Sequence, residues 1–360
     1  MRICRNLLGG ATLLAAIIVA CAPVAAAASA SAAAPADLTP IKVSYQPALY
    51  WALPFYVATE KGWWAEAGLK PEFSIFPAGV PQMAASVSKS WDVGGTGSVP
   101  AVLGYQRFGI KTIGLTNDES QANMLVVSKA RFAQVQKNPA LLKGQTIVLT
   151  SNSTGDYAVQ ACLKKYGLLK SDVTLKNMGQ AEIVSALSSG NADFGGVWAP
   201  NDYTLEEKAG VETLCTGKDG GVVVPGALVV RSDYAKTHPE EVAKFLAVYL
   251  RSWAWMQSHR RESIALMKKF YEQGGVSISE ASMAEEFDTR PTFNLSQQLK
   301  AMDTSKGTSD MDTWFTHIAT FMHDSGSLNT VPAAHDYIDD SFMKKVQGDP
   351  KLAAFATQTK

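Results

Sequence analysis

The chain makes the same glycine-rich turn twice. Residues 91–102 read WDVGGTGSVPAV and residues 192–203 read ADFGGVWAPNDY. Asp92, Gly94 and Gly95 align with Asp193, Gly195 and Gly196 at a constant offset of 101 (193 − 92), and Pro200 falls one residue out of register with Pro100. A small-residue helical stretch precedes each turn: compare PQMAASVSKSWDVGG with AEIVSALSSGNADFGG. A short strand that ends in Gly-Gly and bends sharply into a helix lets the backbone come close to a ligand. Two copies a domain's length apart imply two α/β lobes that present equivalent strand ends to each other across a cleft. A phosphate-binding loop is excluded, because no Gly-Lys-Ser/Thr follows either turn, and GGTGSV lacks the dinucleotide spacing.

The residues around the turns repeat this organisation. Apolar runs at 41–45, 71–76, 91–95 and 111–115 alternate with helical patterns at 53–67, 80–89 and 99–108. Strand patterns begin again at 124–128 and continue at 145–150, 173–177, 194–197, 212–215 and 227–231, with helices at 156–166, 181–189 and 201–209 between them. Alternation at these lengths predicts parallel sheets with helices on their faces. Gly68 and Gly109 sit where helices need a left-handed stop. Beyond His238 the pattern becomes mostly helical.

The N-terminus reads as a segment removed before folding. MRICRN is basic, LLGGATLLAAIIVA is apolar, and an Ala/Ser/Pro-rich stretch follows. That is the order of a secretory signal peptide. A membrane anchor is the alternative, but the apolar core from Leu7 to Ala20 falls short of the roughly 20 residues a bilayer requires. Ile18-Val19-Ala20-Cys21 resembles a lipobox that would lipidate Cys21, whereas the alanines after Pro23 favour ordinary cleavage and a free periplasmic form. Removing Arg2 and Arg5 leaves 31 basic against 33 acidic residues, from 33 of each in the full chain. A balance near −2 with no basic cluster argues against nucleic acid as a partner. The roughly 320 residues that remain suggest two domains. Cys162 and Cys215 are the two cysteines clearly inside the exported part, and either a disulfide or a pair of buried thiols is compatible with that.

QPALYWALPFYVATEKGWWAEAGL, WDVGGTGSVPAV, LKGQTIVLTSNSTGDYAVQACLKKYGL, ALSSGNADFGGVWAP and ALVVRSDYAKTHPEEVAKFLAVY follow one another in this order. Over about 41–300 the chain thus resembles the periplasmic solute-binding proteins of ABC importers for nitrate, sulfonates, taurine and thiamine precursors. The resemblance implies a type II periplasmic binding protein fold: two parallel-sheet lobes, two crossings, a helical C-terminal extension, and hinge closure on a ligand. Its divisions would be a signal peptide and tail at 1–37, lobe 1 at 38–119 and 226–345, lobe 2 at 120–225, and a C-terminal tail at 346–360. The crossings would lie near 117–123 and 222–227. It also implies a monomer that works with a permease and an ATPase in the inner membrane, without a cofactor. Carried over position by position, the ligand contacts would be Gln46, Trp51, Thr96, Ser98 and Asp118 in lobe 1, with Asn117 beside Asp118. In lobe 2 they would be Thr154, Asp156, Trp198 and Asp202. Each also has a structural reading; Ser98, for instance, can cap the helix that follows it.

The rival class is an enzyme on the same fold. The fungal thiamine-pyrimidine synthases resemble these binders but carry a CCCFC stretch and a reactive histidine, and nothing like either occurs here. All five histidines fall at 238 or later, outside the cleft loops. His317 and His323 stand about 240° apart around a helix, so they cannot share a metal. Neither a catalytic set nor a metal site is therefore expected.

The ligand's charge is the last expectation. Ser153 or Thr154 would cap a helix whose free N–H groups form an anion site. Some family members have a histidine where Asp156 stands here. Asp118, Asp156 and Asp202 are all assigned to cleft loops that hold no Lys or Arg, the nearest bases being Lys111 and Arg231. Inward carboxylates would repel a bare anion and pair with an ammonium. A taurine-like zwitterion is therefore expected ahead of nitrate, unless Asp156 only complements its own helix dipole. Bicarbonate and pyrimidine precursors remain further alternatives.

Overall fold

A computed structural model describes residues 37–360. The signal peptide and the Cys21 motif lie outside the described residues. Four strands come first: β1 (Thr39–Tyr45), β2 (Leu69–Ile75), β3 (Val93–Gly97) and β4 (Lys111–Asp118). Five follow after a crossing: β5 (Asn123–Val127), β6 (Thr146–Leu149), β7 (Thr174–Asn177), β8 (Phe194–Trp198) and β9 (Glu212–Thr216). A second crossing returns the chain to β10 (Pro225–Val230).

The strands form two five-stranded sheets, ordered β2-β1-β3-β10-β4 and β7-β6-β8-β5-β9. The sheets are mixed rather than purely parallel. β10 runs antiparallel to β3 and β4, and β5 antiparallel to β8 and β9, whereas β1–β2, β1–β3, β6–β7 and β6–β8 are parallel. The reversed strand in each sheet is the first one after a crossing. A strand that comes directly from the other lobe has no helical return path, so it inserts antiparallel; strands within one lobe return over a helix and stay parallel. The alternation pattern shows the helical returns and says nothing about the arriving strand.

The expected helix at 53–67 is two helices, Leu53–Glu60 and Trp63–Glu66, separated by Gly62 at φ 74°. The segment expected as a tail at 346–360 is packed structure. Helices Ser341–Gly348 and Pro350–Ala356 lie against the long helix Pro239–Ser258, and Val346 and Ala356 are buried. Cys162 and Cys215 form a disulfide that ties helix Thr154–Lys165 to β9.

The crossings are bonded to each other. Glu119 N donates to Val224 O at 2.8 Å, and Val224 N donates to Ser120 Oγ at 3.0 Å. The C-terminal part joins them, because Asp118 N donates to Pro291 O at 2.9 Å. It also reaches lobe 2: Ser279 N and Ser282 Oγ donate to Glu207 at 2.9 and 2.6 Å, and the Phe321 ring lies 4.8 Å from that of Tyr157.

Candidate functional site

The paired glycines serve packing rather than ligand approach. A Cβ on Gly95 would stand 2.3 Å from the Trp51 ring, and one on Gly94 would stand 2.2 Å from Ser44 Oγ. In lobe 2, a Cβ on Gly195 would meet Leu187 at 2.7 Å and one on Gly196 would meet Val159 at 2.8 Å. Both pairs lie inside central strands, where buried side chains from the adjacent strand and from the flanking helices press onto the backbone. The repeated motif therefore marks where each sheet is crowded. The glycine that faces across the lobes is Gly97, two residues further on, whose Cβ would stand 2.8 Å from Thr154 Cγ2.

At that point the lobes enclose a chamber of about 30 Å³. Gln46, Trp51, Gly97 and Glu119 line it on one side, Thr154 and Trp198 on the other, and Arg290 completes its wall. Such a volume holds one or two waters. Through Gln46 and Trp198 it borders a second cleft of about 650 Å³, whose walls also come from both lobes and include Ala78, Asn177, Gln180 and Lys208.

Two helices of different lobes begin at the chamber. Helix Ser98–Phe108 starts after Gly97, and helix Thr154–Lys165 starts after Ser153. Gly97, Ser153 and Thr154 all line the cavity. Unpaired N–H groups and the positive ends of two helix dipoles thus converge there. Ser98 does not cap its helix; Gly97 holds the cap position, and the buried hydroxyls of Thr96 and Ser98 have no hydrogen-bond partner among the described residues.

Of the nine residues expected at the site, Gln46, Trp51, Thr154 and Trp198 line the chamber, and Thr96 and Ser98 flank Gly97. The Trp51 ring also covers Gly95, so this side chain packs and lines at once. Asp118 does not line it. Its carboxylate accepts from Ser120 N at 2.9 Å and from Ser120 Oγ, which closes the crossing turn. Asn117 is buried in the same strand end. Asp156 does not line the chamber either: Oδ2 accepts from Asn152 N at 3.0 Å and Oδ1 from Gln160 Nε2 at 2.7 Å. Burial raises its pKa, and the hydrogen bonds from Gln160 and Asn152 pull the other way. Its role is local, at a helix whose Ser153 cap accepts from Asp156 N at 3.1 Å.

The expectation of a cleft without a base is corrected by Arg290. Arg231 is spent on Asp92 at 3.0 Å and Asp233 at 2.9 Å, and Lys111 donates to Asp336 O. Arg290, 3% exposed, donates to Glu119 at 2.8 Å and to Glu286, with the Tyr50 ring 4.9 Å from its guanidinium carbon. Tyr271 Oη donates to Glu286 at 2.5 Å. Burial alone would lower the Arg290 pKa, but Glu286 and Glu119 outweigh it and hold the guanidinium above its ordinary value. Burial raises Glu119 and Glu286 against the pull of Arg290. Asp202, at the start of helix Asn201–Ala209, faces this cluster with Oδ1 unpartnered; burial and then Glu286 push its pKa up to about 8. Arg290 and Glu119 carried no turn signal. Arg290 follows a helix far along the chain, and proximity to the site is the only mark of either.

Two α/β lobes with one reversed strand each, two bonded crossings and an interlobe chamber are the architecture of a two-lobed solute-binding protein. The chain belongs to the NMT1/THI5-like family, whose model matches residues 52–263. It is 30% identical over 236 residues to a putative aliphatic sulfonates-binding protein of Bacillus subtilis, covering 64% of this chain and 69% of that one. It is 31% identical over 214 residues to the taurine-binding periplasmic protein of Escherichia coli, covering 58% and 64%. In structure it is similar to the periplasmic aliphatic sulphonate binding protein SsuA of Escherichia coli, with TM-score 0.68 and 20% identity, covering 83% of this chain and 92% of that one. These relatives are binding proteins. No helix among the described residues is long and apolar enough to cross a membrane.

Proposed function

We propose that the chain is the solute-binding component of an ABC importer. It works in the periplasm, captures a small organosulfonate between its lobes and delivers it to a permease. The observation that carries this reading is the meeting of two helix N-termini, from opposite lobes, beside a buried arginine. Helix ends supply N–H donors to an oxyanion, and the buried, unpartnered hydroxyls of Thr96 and Ser98 stand beside one of them. The relatives named for aliphatic sulfonates and taurine support the same ligand class.

The taurine-like reading now rests on different residues. Neither Asp118 nor Asp156 lines the chamber, and their carboxylates already accept from Ser120 and from Asn152 and Gln160, so neither is the group proposed to select an ammonium. Glu119 takes that place, because it lines the chamber beside Arg290 and puts a carboxylate within reach of a ligand amine. The closed chamber holds no more than one or two waters, so a sulfonate enters by parting the lobes, and the rest of its body extends past Trp198 toward the larger cleft. No catalytic set is needed for this role.

Isothermal titration of the exported chain against taurine, ethanesulfonate, nitrate and bicarbonate tests the proposal. Saturable binding of a sulfonate, with taurine tighter than ethanesulfonate, is expected. Binding of nitrate or bicarbonate with no response to any sulfonate would refute it.

A further inference from the structure

Gln46 lines both the chamber and the larger cleft, and its amide is held by residues that line neither. Granted the organosulfonate reading above, on which this rests, we propose that Gln46 offers its carbonyl oxygen, Oε1, to the solute as a hydrogen-bond acceptor. Buried Gln82 is the positioning residue that fixes this orientation, and the pair selects a sulfonate that also carries an ammonium.

The orientation propagates from a backbone carbonyl. Gly95 O, in β3, can only accept, so the Gln82 atom 2.9 Å from it is the donor Nε2. Nε2 spends its other N–H on Ser44 Oγ at 2.8 Å, and that hydroxyl turns its own proton to Val93 O at 3.4 Å. Gln82 Oε1 is left to accept, and Gln46 Nε2 donates to it. Flipping Gln82 would set its Oε1 against Gly95 O, and flipping Gln46 would set two amide oxygens against each other. Gln82 is fully buried and Gln46 is 5% exposed, so little water is on hand to relieve either clash. Trp91 Nε1 donates to Gln82 O at 2.8 Å and pins the helix Gly79–Ala84 that carries it.

Gln46 therefore has one N–H committed to Gln82, while its Oε1 has no donor among the described residues. Nitrate or a plain alkanesulfonate has no proton to give, so closing on it would bury an unmet acceptor. An ammonium meets that acceptor with a charge-assisted hydrogen bond. Glu119 lines the same chamber, so the two side chains offer an ammonium one neutral and one anionic acceptor. Ser44, Gln46, Gln82 and Gly95 all lie before the first crossing, in one sheet and its flanking helix. The amide is thus set before the lobes close, and binding does not have to order it.

Isothermal titration tests this with two matched pairs, taurine against ethanesulfonate and β-alanine against propanoate, on wild type, Gln46→Met and Gln82→Met. Methionine keeps the length of glutamine and removes its amide; Gln82→Met also frees the Gln46 amide to turn its N–H groups to the anion. Wild type should bind the amine of a pair at least about tenfold tighter than its amine-free partner, and the ratio should fall to within about threefold of unity in each variant. Circular dichroism checks folding, and either variant decides alone if the other does not fold. Loosened packing lowers both members of a pair and leaves the ratio alone. An unchanged ratio in a folded variant therefore overturns the proposal and leaves amine selection to Glu119. No preference for the amine in wild type, in either pair, overturns it as well. A response confined to the carboxylate pair refutes the organosulfonate reading instead, and the same ratio then still judges Gln46 and Gln82.

Discussion

Asp202 should make the protein less stable as pH rises through neutrality. Its Oδ1 is buried without a partner, and its neighbours across the lobe boundary are Glu286 and Arg290. Glu206, Glu212 and Glu285 share a cavity wall with it on the other side. Two backbone N–H groups, of Tyr203 and of Asp202 itself, support the charged form, and Arg290 helps, but burial and Glu286 prevail. The carboxyl therefore titrates at about 8 in the folded protein against 3.8 when unfolded. Between these values the folded state keeps a proton that the unfolded state releases, so stability falls as pH rises. It stops falling above the folded value and is restored in full below the unfolded one. At about 1.4 kcal/mol per pH unit, the interval from pH 5 to pH 8 corresponds to roughly 4 kcal/mol. Glu119 and Glu286 are raised too and add the same sign, whereas lowered carboxylates such as Asp233 act oppositely. For that reason the comparison is with Asp202→Asn, which is uncharged at every pH. Urea unfolding at pH 5, 6.5 and 8, with the disulfide intact, gives the difference between the two proteins. Asp202→Asn should gain on wild type by several kcal/mol across that range. A difference that stays constant with pH would refute the reasoning.

Four further outcomes follow from the same geometry. Arg290→Met leaves Glu119 and Glu286 buried without a counter-ion and should cost about 3–5 kcal/mol in a thermal or urea melt at pH 7, with part of the loss recovered by adding Glu119→Gln and Glu286→Gln. Gly97→Ala puts a methyl group 2.8 Å from Thr154 Cγ2, so the lobes should close less tightly: small-angle scattering should report a larger radius of gyration with ligand, and titration a weaker affinity. Trp198→Ala should weaken solute binding by titration while leaving the melting temperature nearly unchanged, because Trp198 is half-buried on the cleft wall. Replacing Cys162 and Cys215 by alanine should lower stability by about 2–4 kcal/mol in urea unfolding, since it frees a 53-residue loop of the unfolded chain.

Local pattern determined most of the framework of this protein. All ten strands lie where apolar runs alternate with helical patterns, because hydrophobic period and flanking glycines act over a few residues and need no partner to be read. The doubled turn revealed two lobes for the same reason, and the ordered set of motifs revealed the family. Ser153 and Thr154 were readable as a helix start, since capping is chemistry between residues three positions apart.

Tertiary structure decided the rest. Strand direction at β5 and β10 depends on which lobe the chain arrives from. The Gly-Gly pairs have the same letters whether a ligand or the Trp51 ring covers them, and only the packed layers show that it is protein. Asp118 ends β4 and Asp156 sits in the first turn of a helix, neither of them on the chamber wall, because a carboxylate's partners depend on which nearby N–H groups claim it, and Ser120, Asn152 and Gln160 are those groups. Arg290 lies 171 residues from Glu119 in the chain and 2.8 Å from it in space. The free energy of such a pair comes from shared burial and a short Coulomb distance, and both exist only once the C-terminal helices have folded back across the crossings.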